Sequence, residues 1–186
     1  MVSTDDIPKG LELPIDFVNT LDVEAGTDAL AHPDDLASWL EAAGLLSADA
    51  PSPGHADLER AIELREALRS LMLANNGGPS DDRAGGVLES VARRGGLGIH
   101  FDRTGSVSIR PEPRGLDGAL AALLIPIVRA DEDGSWGRVK ACRADDCRWA
   151  FYDRSRNRSG VWCKMAVCGN RTKVRAYRQR APSRRS

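Results

Sequence analysis

Cysteine spacing is the first feature of this sequence with a clear chemical meaning. The four cysteines form two C-x4-C pairs separated by fifteen residues: Cys142 and Cys147, then Cys163 and Cys168. Zinc takes four ligands in a tetrahedron and binds thiolates well, and two such pairs close a site. Iron–sulfur proteins are the rival metal class, but their usual cysteine spacings differ. We therefore predict one Zn2+ held by all four cysteines, with disulfides or free thiols as the alternatives.

The predicted zinc is structural rather than catalytic, because four protein ligands leave no position for a reactive water. The surrounding segment has few large apolar residues, so metal binding and folding should be coupled. The first cysteine pair is predicted to lie in a knuckle between two short strands, and Cys168 at the start of the last helix. A hairpin followed by a helix is a treble-clef-like arrangement.

Charge is distributed unevenly along the 186 residues, although the net charge is only −1. Residues 1–137 have 24 acidic and 11 basic side chains, whereas residues 138–186 have 3 acidic and 15 basic ones. A basic segment of this kind suits a polyanion, which the acidic part of the chain would repel. We predict two domains: a body over residues 1–133 and a zinc module over residues 138–182.

The last predicted helix has cations arranged in two stripes. Val174 and Tyr177 share one side, which we expect to pack on the zinc core. Thr172, Ala176 and Gln179 lie on the opposite side, between the stripes, where they could meet base edges while the cations meet phosphates. This pattern favours DNA binding in a major groove, with loop arginines on the DNA backbone. The predicted nucleic-acid contacts are Arg154, Arg156, Arg158, Arg171, Thr172, Lys173, Arg175, Arg178, Gln179 and Arg180.

RNA or a protein is the alternative partner of the zinc module. Trp149, Phe151 and Tyr152 could stack on unpaired bases. A core role for these three rings is the expected one, because the module is short of other apolar residues.

The body is predicted to be α+β, mostly helical with a small antiparallel element. "HPDDLASWLEAAGLL" and "DLERAIELREALRSLMLAN" have helical spacing of apolar residues, and "LGIHF" and "SVSIR" alternate as in a hairpin. "GLDGALAALLIPIVRADE" is predicted to be a buried helix with a bend at Pro126. "NNGGPSDDRAGG" is predicted to be a flexible connection that could contain a short helix after Asp81. "LELPIDFVNTLD" does not settle as strand or helix.

Three polar residues of the body are candidates for binding a small molecule. Asn19 and Thr20 are embedded among apolar residues, where a turn or cap is the other explanation. Arg65 projects toward the apolar side of the long helix and has no acidic neighbour three or four positions away, so we expect no partner on its own helix. It could bind an anionic ligand, lie along the surface, or pair with an acid elsewhere in the fold.

Catalytic and membrane functions are not predicted. The three histidines are scattered, and no hydrolase, metalloprotease or P-loop motif is present, so we do not expect an enzyme. The sequence lacks a signal peptide, and its longest apolar run is too short to span a bilayer, so we expect a cytoplasmic protein. The oligomeric state stays open, with a dimer as one option.

The C-terminal quarter, "CRADDCRWAFYDRSRNRSGVWCKMAVCGNRTKVRAYRQR", resembles the CGNR zinc-finger family, which is named after the tetrapeptide Cys168–Arg171. The likeness includes all four cysteines, the Phe-x-Asp-x-Ser-x-Asn segment at Phe151–Asn157, and Trp162–Cys163. It implies that the four cysteines bind zinc and that the protein regulates transcription. The sequence departs from the family at Gly160 and Val161, where basic residues are expected.

The N-terminal part resembles the ABATE domain that usually precedes this finger. The likeness is carried by "LPIDFVNTLD" and "LREALRSLM". It implies an α+β fold and a role in sensing a small-molecule effector.

Overall fold

A computed structural model of the protein describes residues 7–112 and 115–180, apart from the side chains of Ala176, Gln179 and Arg180. The helices are α1 (Glu12–Val18), α2 (Pro33–Ala42), α3 (His55–Ala74), α4 (Asp82–Arg94), α5 (Leu116–Ala122), α6 (Ile125–Glu132) and α7 (Asn170–Arg180). The strands within these residues pair as three antiparallel hairpins: β1 (Leu21–Asp22) with β2 (Thr27–Asp28), β3 (Leu97–Phe101) with β4 (Val107–Pro111), and β5 (Val139–Ala141) with β6 (Ala150–Tyr152). The α+β prediction is therefore confirmed.

Helix α3 is the centre of the body, with α1, α2, α4 and β5 packed around it. Its predicted apolar side is buried, and Leu64, Leu68 and Met72 have no exposed surface. On its outer side, Asp57 pairs at 2.8 Å with Arg60, which is three residues away and therefore on the same side of the helix. Helix α3 therefore joins α1, α2 and α4 to the β5–β6 hairpin.

The structure defines two segments near α3 that the sequence left open. Helix α4 begins directly after Asp81, where the sequence allowed a short helix, and at 13 residues it is longer than expected. The Asp81 side chain caps it by accepting a hydrogen bond from the Arg83 amide at 3.0 Å. The undecided N-terminal stretch forms α1, which buries Phe17 and Val18 completely.

The predicted bend at Pro126 is a complete break. Helix α5 ends at Ala122, and α6 begins at Ile125. Pro126 is then in the first turn of α6, where a missing amide hydrogen costs no helical hydrogen bond. Both helices still bury apolar residues against the body.

The β5–β6 hairpin belongs to the core of the body as well as to the zinc module. Val139, Ala141 and Ala150 are at most 1% exposed and lie in the same apolar cluster as Leu64 and Leu68. The predicted domain limits stay a prediction, and packing continues across the predicted boundary. Every helix among the described residues is too short or too polar to cross a bilayer.

Candidate metal centre and nucleic-acid interface

The four cysteine sulfurs lie within 4.8 Å of one another. Cys147 Sγ is 3.6 Å from Cys163 Sγ, which is 3.7 Å from Cys168 Sγ. Zinc–sulfur bonds of about 2.3 Å give a tetrahedron with edges of about 3.8 Å, whereas a disulfide needs about 2.05 Å. The sulfur positions therefore fit four-coordinate zinc. The prediction of one structural zinc is confirmed, with Cys142 as the fourth ligand.

The first cysteine pair is held by the β5–β6 hairpin. Backbone amides of Ala144 and Trp149 hydrogen-bond to the sulfurs of Cys142 and Cys147, respectively. Between them, Arg148 has a φ of 57°, in the left-handed region that non-glycine residues rarely adopt. Amides aimed at sulfur stabilise thiolates, so the knuckle is shaped for a bound cation.

The thiols show why this cluster requires a cation. A hydrogen bond from Cys163 lowers the pKa of Cys142 to about 5. Burial raises the pKa of Cys147 to about 11, and that of Cys163 is raised by its bond to Cys142 and by burial. The cluster stabilises one thiolate easily, and four negative charges at this spacing need a divalent cation between them.

Each residue of the Cys-Gly-Asn-Arg tetrapeptide has a different structural role. Cys168 lies in a π-helical turn (Met165–Gly169) that leads directly into α7, as predicted for the start of the last helix. A Cβ atom on Gly169 would lie 2.4 Å from Met165 Sδ and 3.0 Å from the Trp162 ring, so any larger residue would require these side chains to shift. The Asn170 amide donates to a backbone carbonyl four residues earlier at 3.1 Å. Arg171 Nη2 lies 3.6 Å from Cys168 Sγ.

A buried ion pair lies beside the zinc centre. Lys140 Nζ is 2.7 Å from Asp153 Oδ2, and both side chains are at most 5% exposed. Lys140 also donates to the carbonyls of Arg158 and Gly160. Burial raises the pKa of Asp153, but hydrogen bonds from Lys140, Ser155 and Gly160 outweigh it and lower the pKa to about 2. Asp153 is therefore charged and fully bonded at neutral pH.

This ion pair holds the basic loop that follows β6. The loop runs from Arg154 to Gly160, and Lys140 and Asp153 bond both of its ends. A Cβ at Gly160 would lie 2.6 Å from Asp153 Oδ1, so a larger residue here would displace the Asp153 carboxylate. The loop backbone is therefore hydrogen-bonded at both of its ends.

Side chains of the body fasten the zinc module. Arg69 donates to the carbonyls of Arg148 and Val18 at 2.9 and 2.7 Å. Asn76 donates to the carbonyls of Ala141 and Val161, both at 2.8 Å. Sequence reasoning missed Arg69 and Asn76, because nothing in a single sequence marks a polar side chain that bonds a carbonyl more than sixty residues away.

Asn19 is part of the same attachment. Its side chain donates to the Ala150 carbonyl at 3.0 Å and accepts from the Ala150 amide at 2.7 Å. Thr20 donates to the Phe17 carbonyl at 2.8 Å. Asn19 also borders a cavity of about 440 Å³ between α1 and the zinc module. Ligand binding by Asn19 and Thr20 stays a prediction, while their observed contacts join parts of the protein.

Arg65 is bonded inside the body. It forms a two-point contact with Asp28 at 2.7 and 2.9 Å and also donates to Thr20 at 3.1 Å. Its Nε lies 3.0 Å from Glu66, so the expectation that it has no partner on its own helix is wrong. A ligand role for Arg65 stays a prediction.

The aromatic residues of the module divide between two cores. Phe151 packs on the zinc cluster with Trp162, and Tyr152 packs on the body. The expected core role is confirmed for Phe151 and Tyr152. Trp149 is 36% exposed at the edge of the site.

Two of the predicted DNA-contacting arginines are bound to acids of the protein. Arg171 contacts Glu24, in the β1–β2 turn, at 2.6 Å and Asp146 at 3.3 Å. Arg175 contacts the same Asp146 oxygen at 2.9 Å, and this hydrogen bond lowers the pKa of Asp146. These contacts turn one flank of α7 toward acidic residues.

The adjacent face of α7, around Val174 and Tyr177, is exposed to solvent. Val174 and Tyr177 are 49% and 77% exposed, so the expectation that they pack on the zinc core is wrong. Thr172 is half-buried, and its hydroxyl donates to the Cys168 carbonyl at 2.9 Å. The side chains of Gln179 and Arg180 lie outside the described residues. The exposed cations among the predicted contacts are Arg154, Arg156, Arg158, Lys173, Arg175 and Arg178.

Comparison with known proteins adds two family matches. Residues 138–181 match the family model described as CGNR zinc finger. Residues 11–146 match the ABATE family model, described as "Putative stress-induced transcription regulator". No curated protein matches the chain.

Proposed function

The chain belongs to the ABATE family and ends in a CGNR zinc finger, and from this membership we propose that it is a cytoplasmic regulator of transcription that binds duplex DNA through α7. The proposed role is non-catalytic. The observation that carries it is an exposed cationic helix that directly continues the π-helical turn containing the zinc ligand Cys168. An isolated helix of 11 residues would be marginal in water, and the zinc centre supplies its first turn.

The charges of α7 and its neighbouring loop suit DNA. Lys173 and Arg178 are exposed and form no ion pair with the described residues. Arg156 and Arg158 are exposed on the loop whose ends are fixed by the Lys140–Asp153 pair. A fixed cationic surface neutralises phosphates at a smaller entropic cost than a disordered one. The helix is also narrow enough for a major groove about 12 Å wide.

Binding to duplex DNA is expected to weaken steeply with salt, since each neutralised phosphate adds about 0.9 to the slope of log K against log salt concentration. The variant K173Q/R178Q is expected to reduce that slope by about two. The measurement is fluorescence anisotropy with duplexes selected from a random pool. Lys9→Gln removes an exposed cation of the body and serves as a control with an unchanged slope.

Two results would contradict DNA as the partner. One is binding to the selected duplex that does not depend on salt. The other is tighter binding to single- or double-stranded RNA of the same sequence, which would favour the alternative RNA-binding role.

Glu24→Gln is expected to strengthen DNA binding about two- to fivefold, because Arg171 then loses one of its two acidic partners, keeps the longer contact with Asp146, and is more available to a phosphate. The same anisotropy titration measures the change. Glu59→Gln removes the same charge from an exposed position on α3 that forms no ion pair with the described residues, and is the matched control. An equal gain in both variants would mean that only net charge matters and that the Arg171 contact does not.

A further inference from the structure

The exposed face of α7 has an apolar centre with cations at its borders. At about 100° per residue, the order around the helix is Lys173, Tyr177, Val174 and Arg178, within an arc of about 140°. The two apolar side chains are 77% and 49% exposed, respectively, so no described part of the chain covers them. The inner side of the helix is held by Arg171, which bonds the acidic body. The helix therefore cannot rotate to hide its apolar centre without breaking that contact.

An exposed apolar pair needs an explanation in a chain that has few aromatic residues. Leaving a tyrosine and a valine in water forgoes the stabilisation that burial would provide, about 1.5–3 kcal/mol for a fully buried valine-sized side chain. The bordering cations disfavour an apolar helix as the partner, since Lys173 and Arg178 would lose hydration against it. Lys173 and Arg178 instead favour a polyanion as the partner, one with an apolar group between its charges. The major groove of duplex DNA is such a surface, because thymine methyl groups lie between two lines of phosphates.

We propose that this face enters the major groove and that Val174 and Tyr177 contact thymine methyl groups, while Lys173 and Arg178 contact the phosphates on either side. The proposal rests on the proposed DNA-binding function and adds the chemistry of the readout. It replaces the sequence-based assignment of base contacts to Thr172 and Gln179. The structure supports this change, since the Thr172 hydroxyl is already bonded to the Cys168 carbonyl.

The test uses the zinc-loaded full chain and a duplex selected from a random pool. Each thymine of the duplex is replaced in turn by deoxyuridine, which removes only the methyl group. We expect about fourfold weaker binding at one or more positions, the loss expected for one buried methyl-sized group. Val174→Ala should abolish the sensitivity at one such position, and Tyr177→Ser at another. Gln179→Ala is the matched control and should leave the deoxyuridine pattern unchanged.

The outcomes separate the two proposals. Sequence-selective binding without any deoxyuridine effect, or an effect that both variants retain, overturns the methyl readout and leaves DNA binding in place. A changed sequence preference in Gln179→Ala but not in Val174→Ala also overturns it. Absence of duplex binding by the wild-type protein overturns both proposals. Sedimentation tests a second copy as the occupant: a dimer that Tyr177→Ser converts to monomer would overturn the methyl readout.

Discussion

Cys163→Ser is expected to release the zinc, unfold the segment from the basic loop to α7, and abolish sequence-selective DNA binding. Among the described residues, the buried apolar cluster around the cysteines contains only Ala144 besides the ligands, and the partly buried Phe151 and Trp162 pack against it. So small a core cannot offset the entropy of ordering the segment. Structural zinc supplies about 10–16 kcal/mol at pH 7 in comparable small modules. The measurements are zinc content, far-ultraviolet circular dichroism and anisotropy with the selected duplex.

Cys163→Ser has a matched control nearby, and its effect should extend to the body. Val167→Ser changes an exposed side chain next to a ligand and should keep both zinc and binding. Because Val139, Ala141 and Ala150 lie in the core of the body, zinc loss should also lower the melting temperature of the body. A Cys163→Ser protein that keeps stoichiometric zinc would contradict the four-ligand site. Full stability of the body after zinc loss would contradict the shared core.

The zinc site could be predicted from sequence because its chemistry is confined to a few residue types and to local spacing. Two cysteine pairs specify the ligand set regardless of how the rest of the chain folds. Helix α3 could be predicted for a similar reason, since its apolar residues repeat over five turns. The break before α6 was missed because an apolar run around Pro126 fits a bent helix and a broken one equally well.

The orientation of α7 could not be predicted. The sequence predicts that Val174 and Tyr177 pack on the zinc core, because apolar residues usually face a core. In this module the core is a thiolate cluster, and the residue that approaches it is Arg171, which bonds Cys168 and two acids. Those acids come from the β1–β2 turn and the first zinc knuckle, so only the folded arrangement shows which flank of α7 is inside. The Lys140–Asp153 pair was missed for the same reason.

Asp153→Ala is expected to destabilise the zinc-loaded protein by about 3–5 kcal/mol, because it leaves the Lys140 ammonium buried without a counter-charge. The substitution also removes the acceptor for the amides of Ser155 and Gly160, which fixes the ends of the basic loop. Urea unfolding at pH 7 measures the full effect. The lowered pKa of Asp153 means that its contribution is complete above about pH 3.8 and is lost only as the pH falls toward about 2.

The double variant K140M/D153A separates the ion pair from the loop attachment. If the cost of Asp153→Ala comes mainly from the unpaired lysine, adding Lys140→Met should recover a large part of it. If the cost comes mainly from the lost amide bonds, the double variant should be at least as unstable as the single one. DNA binding by K140M/D153A gives a second measurement. Without the ion pair, Arg156 and Arg158 lie on a loop that has lost its bonds to Lys140 and Asp153. The affinity for DNA should therefore fall while the zinc content stays constant. Unchanged affinity in the double variant would mean that the ion pair serves stability alone.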